Sequence, residues 1–208
     1  MLFINMKNIE IISVHYKTPD LIYNQYKSVR KFYPHLTYQI IDGSDDNVKY
    51  FEDLENNDEN FTVKRFGYNI HHGPGMDYAI RNSNYDYQLI LDSDVSLKTN
   101  VIEHLFDNFK GYATGKLIMI DSTGHEKWQK KEENPNNFIY SYIHPYCMLI
   151  KKSEYVKYKP FKKHGAPCID AMIDIYNNNQ TNQLCGVKIE DYVDLKIRGT
   201  RSVWGINL

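Results

Sequence analysis

Two aspartates one residue apart, Asp92 and Asp94, follow the apolar run Leu89-Ile90-Leu91, and Val95 resumes it. On a strand, side chains at i and i+2 share a face, so both carboxylates point the same way where the strand runs out. At about 3.3 Å per residue they stand roughly 6–7 Å apart, and at an effective dielectric of about 20 their repulsion is on the order of 2–3 kcal/mol. A bound cation turns that repulsion into a binding site. Hard divalent ions such as magnesium and manganese take carboxylate oxygens and share their shell with substrate phosphates, so the pair is a candidate metal–phosphate site. The competing reading is a strand-end turn or cap, since Asp-x-Asp alone is common.

Three further groups belong to the same question. Asp42 ends the run 37–41 and opens the polar turn Gly43-Ser44-Asp45-Asp46-Asn47. His15 ends the run 10–14, where it is either a ligand contact or a strand-end histidine satisfied by its neighbours. His71 and His72 are adjacent, so on an extended segment they face opposite ways and one at most enters a shared crevice. Their spacing is not that of a metal-binding pair, which favours hydrogen bonding or packing.

The elements that must position these residues alternate between strand and helix, the pattern of an α/β protein with a mostly parallel sheet flanked by helices. Strands are expected over 10–16, 37–42, 61–66, 89–95 and 112–120. A strand or hairpin is expected over 139–151. Helices are expected over 19–32, with Thr18 as a cap and Pro19 in the first turn, and over 76–82, 101–109 and 169–176. Residues 52–60 read as a solvated loop or frayed helix, and 121–137 as a polar surface loop. In open sheets of this kind ligands gather at the carboxyl ends of the strands, so Asp42, His71, His72 and the aspartate pair are expected to converge.

At 208 residues the chain fits one domain large enough to bury a core without disulfides. Lys+Arg 25 against Asp+Glu 26 leaves a net charge of -1, so no global basic field argues for nucleic acid or an anionic membrane. The three cysteines, Cys147, Cys168 and Cys185, are too few and too widely spaced for a disulfide framework or a Cys-x-x-Cys zinc motif. The first seven residues are too short for a signal peptide and no apolar run is long enough for a membrane span, so a cytoplasmic protein is expected.

The ordered set resembles the inverting, family-2-type glycosyltransferases with the glycosyltransferase A fold. The pieces are Ile11-Ile12-Ser13-Val14-His15-Tyr16-Lys17-Thr18-Pro19, Ile40-Ile41-Asp42-Gly43-Ser44-Asp45-Asp46, Gly73-Pro74-Gly75-Met76-Asp77-Tyr78-Ala79-Ile80 and Leu91-Asp92-Ser93-Asp94. The resemblance implies one domain over 1–208, with a nucleotide-sugar half at about 1–98 and an acceptor half at about 99–208. It implies a UDP-linked donor at His15, Tyr16, Thr18, Asp42, Gly73, Met76, Asp92 and Ser93, and Mn2+ or Mg2+ on Asp94 and Asp92. Asp170, at the start of a late helix, becomes the base that takes the acceptor's proton, with Asp174 one turn on as the alternative. The tail residues Arg198, Thr200 and Arg201 would close over the diphosphate. Relatives often carry a metal-ligating His just before that tail, where this chain has Leu195. The acceptor is left open among a glycan, a lipid-linked saccharide, a small molecule and a modified nucleobase. Tyr140, Tyr142, His144 and Tyr146 form either a sugar-stacking platform or ordinary packing. Two other readings compete: a haloacid-dehalogenase-type phosphatase using Asp92 and Asp94, and an inactive nucleotide-sugar or carbohydrate binding module.

Overall fold

The computed structural model describes residues 8–125, 139–162 and 165–195. Five strands and helices alternate from the start: β1 (Ile9–His15), α1 (Pro19–Phe32), β2 (Thr37–Asp42), α2 (Glu52–Asn57) and β3 (Phe61–Arg65). There follow α3 (His72–Asn82), β4 (Tyr87–Leu91), β5 (Val95–Leu97), α4 (Ile102–Asp107) and β6 (Ala113–Asp121). The last described elements are β7 (Ile139–Lys151), α5 (Lys152–Tyr155), α6 (Ile169–Asn177), β8 (Leu184–Gly186) and β9 (Val193–Leu195).

Seven strands form one sheet in the order β3-β2-β1-β4-β7-β6-β8, and β5 pairs with β9 in a small second sheet. β1, β2, β3 and β4 run parallel, as do β6 and β8, while β7 is antiparallel to both β4 and β6. The period-2 alternation along β1 divides the core. Ile9 and Ile11 pack with Ile22 and Val29 of α1 on one face, and Ile12 packs with Met76, Ala79 and Ile80 of α3 on the other. α6 lies on the α3 face, where Ile169, Met172 and Ile175 join the same core. Both faces are therefore covered, and the open working surface is the edge where β1, β2 and β4 end.

Two expectations change. Helix α3 starts at His72 rather than near residue 76, so Gly73, Pro74 and Gly75 are helical. Proline is tolerated in a first turn because its missing N–H had no partner there anyway. Gly75 is needed for another reason: a Cβ there would lie 3.0 and 3.1 Å from the two methyls of Val14, so the glycine lets α3 press onto β1. Likewise β4 stops at Leu91, and Asp92 and Asp94 lie beyond it. Among the described residues no helix is long and apolar enough to cross a membrane.

Candidate functional site

The parallel register of β1 and β2 sets His15 opposite Asp42 at the carboxyl edge. His15 Nδ1 is 2.9 Å from Asp42 Oδ1, and the Thr18 backbone N–H donates to His15 Nε2 at 2.9 Å. A backbone amide can only donate, so Nε2 is bare and Nδ1 carries the proton that goes to Asp42. Asp42 Oδ1 also accepts the Ser44 N–H at 2.9 Å. Burial pushes the Asp42 carboxyl up, but the bonds from His15 and Ser44 outweigh it and hold the group below the usual carboxylate range. The edges of Tyr50 and Phe51 close over the imidazole, with ring centroids 5.0 and 4.9 Å away.

This lock ties two loops into one unit. Gly43 N–H donates to His15 O at 2.9 Å and Lys17 N–H to Ser44 Oγ at 3.1 Å, while Lys17 pairs with Asp45. Tyr16 sits half-buried at the mouth, its hydroxyl 3.3 Å from Asp45 Oδ2. Both His15 and Asp42 were expected to touch a nucleoside directly. His15 is fully buried with both ring nitrogens used, and the Asp42 side chain is 3% exposed with its Oδ1 taken by His15 and Ser44. Thr18 precedes α1 but makes no side-chain cap, and its Oγ1 is buried without a hydrogen-bond partner. Gly73 and Met76 are buried too, and Met76 belongs to the core, so that side chain faces protein rather than cleft.

The aspartate pair lies in a turn. Asp92 N–H donates to Tyr146 O on β7, and Val95 N–H returns to Asp92 O, both at 3.0 Å. Strand alternation therefore does not govern where the two carboxylates point. His72, the first residue of α3, places Nε2 3.0 Å from Asp92 Oδ1, with both side chains 24% exposed. Asp92 Oδ1 is buried, and the His72 ring is its close neighbour. Burial pushes Asp92 up and the His72 charge more than reverses it, leaving the carboxyl below its usual range. Burial pushes His72 down, and the charges of Asp92 and then Asp94 carry it above the usual imidazole range. His71 is exposed, so one histidine of the two enters the site.

From the second half of the chain, Tyr142 and Cys168 are raised by burial with the Asp92 charge adding to it, and His144 acts back on Asp92. Cys168 is the N-cap of α6, and Asp170 stands in the first turn of that helix. Asp174 is committed elsewhere: Lys159 Nζ is 2.9 Å from Oδ1, and the Lys159 N–H donates to Oδ2 at 3.2 Å. The rings of Tyr142, His144 and Tyr146 follow one another along β7, centroids 6.1 and 5.1 Å apart, with Tyr142 inside the core. Ser93 is half-buried in the turn, and Arg198, Thr200 and Arg201 lie outside the described residues.

Among the described residues no three His, Cys, Asp or Glu side chains cluster as a metal site. The residues present still fit a divalent ion of the magnesium type, which is usually held by one or two carboxylates and completes its shell with water and substrate phosphates. The buried Asp92 Oδ1 is the oxygen such an ion would take, with Asp94 two residues on. His72 is the site residue that sequence reasoning left undecided. Its signal was a position directly before Gly73-Pro74-Gly75, once those residues are read as a first helical turn.

The fold has counterparts. The mannosyltransferase PcManGT from Pyrobaculum calidifontis, in complex with GDP-Man and Mn2+, superposes with a TM-score of 0.59 at 11% identity, covering 86% of this chain and 54% of that one. GalNAc-T7 with UDP, GalNAc and Mn2+ gives a TM-score of 0.60 at 12% identity, over 83% of this chain and 41% of that one. TarS of S. aureus gives 0.57 at 15% identity, over 94% and 38%. This chain thus spans about half the length of the first and less of the other two, and at such identities the likeness is one of fold. No curated protein sequence matches the chain. The phosphatase alternative fails on topology, since its nucleophilic aspartate would end the first strand and β1 ends in His15. The family model for glycosyl transferase family 2 matches residues 10–173, which takes in β1, the His15–Asp42 lock, the Asp92 turn and Asp170, and the chain belongs to that family.

Proposed function

We propose that this chain transfers a sugar from a nucleoside-diphosphate donor, UDP-linked, to an acceptor hydroxyl with inversion at the anomeric carbon, using Mn2+ or Mg2+. The observation that carries the reading is the turn beyond β4 at the carboxyl edge of the sheet, where the buried Asp92 Oδ1 and Asp94 lie two residues apart with His72 against them. In this reading Asp92 and Asp94 hold the ion, which stabilises the charge that builds on the departing diphosphate. The nucleoside lies against the joined loops that His15 and Asp42 lock, with Tyr16 at the mouth and Ser93 toward the ribose. Arg198, Thr200 and Arg201 bind the diphosphate from the tail. Asp170 accepts the proton of the attacking hydroxyl, because it stands in the first turn of α6 while Asp174 is spent on Lys159. UDP is the first choice because a structural neighbour binds it, and GDP is the second because another holds GDP-Man.

A thermal-shift panel of UDP, GDP and their sugars, with and without Mn2+, tests the first step. A donor bound to the native state raises the melting temperature by mass action, and the rise must depend on Mn2+ and vanish in Asp94→Ala. Sugar release or transfer then separates an enzyme from a binding module, which would bind tightly without turnover. No shift with any nucleotide ends the reading.

A further inference from the structure

Gln25 lies on the buried side of α1 with no exposed surface, 67 residues before Asp92 in sequence. Its Nε2 donates to the carbonyl oxygens of Asp92 at 2.7 Å and Val95 at 3.0 Å, the two ends of the turn that carries the aspartate pair. Its Oε1 accepts from Ser13 Oγ of β1 at 2.7 Å and from the Tyr38 hydroxyl of β2. The orientation of the amide follows from the partners. Two carbonyls can only accept, so the NH2 must face them, and a flipped amide would set its oxygen against both. Burial keeps the Tyr38 phenol protonated, so it remains a donor to Oε1. All four hydrogen-bonding positions of the side chain are then filled, and it has one orientation. One helical turn on, Ser28 Oγ donates to Gln25 O at 2.7 Å and accepts the Leu97 N–H at 3.0 Å. Helix α1 thus grips the segment 92–97 by three bonds, and its grip is anchored in two interior strands, β1 and β2.

We propose that Gln25 is a positioning residue for the aspartate turn: its amide clamps the two carbonyls that set where Asp92 and Asp94 present their carboxylates. It touches neither donor nor ion and acts through the turn. The interior of an α/β helix usually meets the sheet with apolar side chains, and a saturated amide there has a directional task that packing does not require. Both hydroxyls it accepts from sit on strands that cannot shift without breaking the sheet. The turn is therefore referenced to the rigid floor of the protein rather than to the loops around it.

The test compares two changes that damage the same network on opposite sides. Gln25→Met removes the clamp and keeps the volume, whereas Tyr38→Phe removes one anchor and leaves both bonds to the turn in place. Amide hydrogen exchange of the peptide spanning 93–97 is measured in the free protein, and Mn2+-supported UDP binding by calorimetry, at a temperature where each variant is folded. The clamp predicts faster exchange in that peptide for Gln25→Met and not for Tyr38→Phe, with UDP affinity falling about tenfold or more in the first and unchanged in the second, as for loss of an outer-shell support. Both variants lower the melting temperature, which a merely structural role would also do, so the split between them is what counts. Should Gln25→Met fail to fold, Gln25→Asn retains a polar amide too short to reach the turn and must show the same split. Equal exchange in wild type and both Gln25 variants overturns the proposal. The binding readout rests on the donor reading above, and the two fail separately: if wild type binds no UDP the donor reading fails, while exchange still decides the clamp.

Discussion

His71 carries backbone strain that can be relieved without touching its neighbours. Its φ of 64° and ψ of 161° fall in a region that residues with a Cβ essentially do not occupy, and that glycine enters freely. Holding an L-residue there costs on the order of 1–3 kcal/mol. Replacing it with glycine returns that amount but adds roughly 0.5–1 kcal/mol of unfolded-chain entropy to be lost on folding. The side chain is exposed, and the bonds that fix the turn belong to the backbone: His71 N–H donates to Asn69 Oδ1 at 2.9 Å, and His71 O accepts the Gly75 N–H at 3.0 Å. His71→Gly keeps all of these. The expected result is a gain of up to about 2.5 kcal/mol, with a midpoint of about 1, which for a domain of this size raises the melting temperature by up to roughly 10 °C. His71→Ala removes the same side chain at the same strained φ and should stay within about 0.5 kcal/mol of wild type. Urea unfolding of the three proteins, read by fluorescence, separates the backbone effect as the difference between glycine and alanine. If His71→Gly is no more stable than His71→Ala, the strain is not there and the reasoning fails.

Two further expectations concern charge. The His72–Asp92 pair stabilises the fold through both partners: the raised His72 pKa contributes fully below its unfolded value near 6.5 and is lost as pH rises through the folded value. The lowered Asp92 pKa contributes above its unfolded value near 3.8 and is lost as pH falls through the folded one. The stability gap between wild type and His72→Gln, measured in chelator by urea unfolding, should therefore be widest between about pH 4 and 6.5. For a pair between the exposed and fully buried cases it should reach about 1–2 kcal/mol there and shrink on both sides, and a gap flat in pH contradicts the pairing. In the first turn of α6, Asp170→Asn should lower turnover at least about a hundredfold while leaving donor binding intact, as expected for loss of a general base. Asp174→Asn should lose the Lys159 contact and little else, and equal loss of turnover in both variants would remove the assignment of Asp170.

Local pattern was enough wherever an element is decided by its own residues. Thr37–Asp42 is β-branched and apolar up to a polar turn, and it forms a strand over the range expected from that run. The start of α1 at Pro19 and the body of α6 follow from the same kind of reasoning. The failures occur where distant contacts decide. Asp92-Ser93-Asp94 has the composition of a strand continuation, yet β4 ends before it because β7, entering antiparallel, captures Asp92 N–H on Tyr146 O and α1 captures Asp92 O on Gln25, 67 residues away. Neither partner is visible to an argument about alternation. The same holds for β7 itself, left open between strand and hairpin, whose position between β4 and β6 is fixed by pairing on both edges.

Residues of the site differ in legibility for a related reason. A carboxylate after an apolar run is conspicuous wherever it lies, so Asp42, Asp92 and Asp94 stood out. What each one does depends on who reaches it. Asp42 meets His15 across one register step and is held by it and by Ser44, whereas Asp92 meets His72 across the first turn of another helix. Two aspartates that look alike in sequence are thus separated by their partners. Asp42 ties two loops together, while Asp92 and Asp94 share one turn in which a single histidine offsets two carboxylates only in part, and that is where a divalent cation has most to gain.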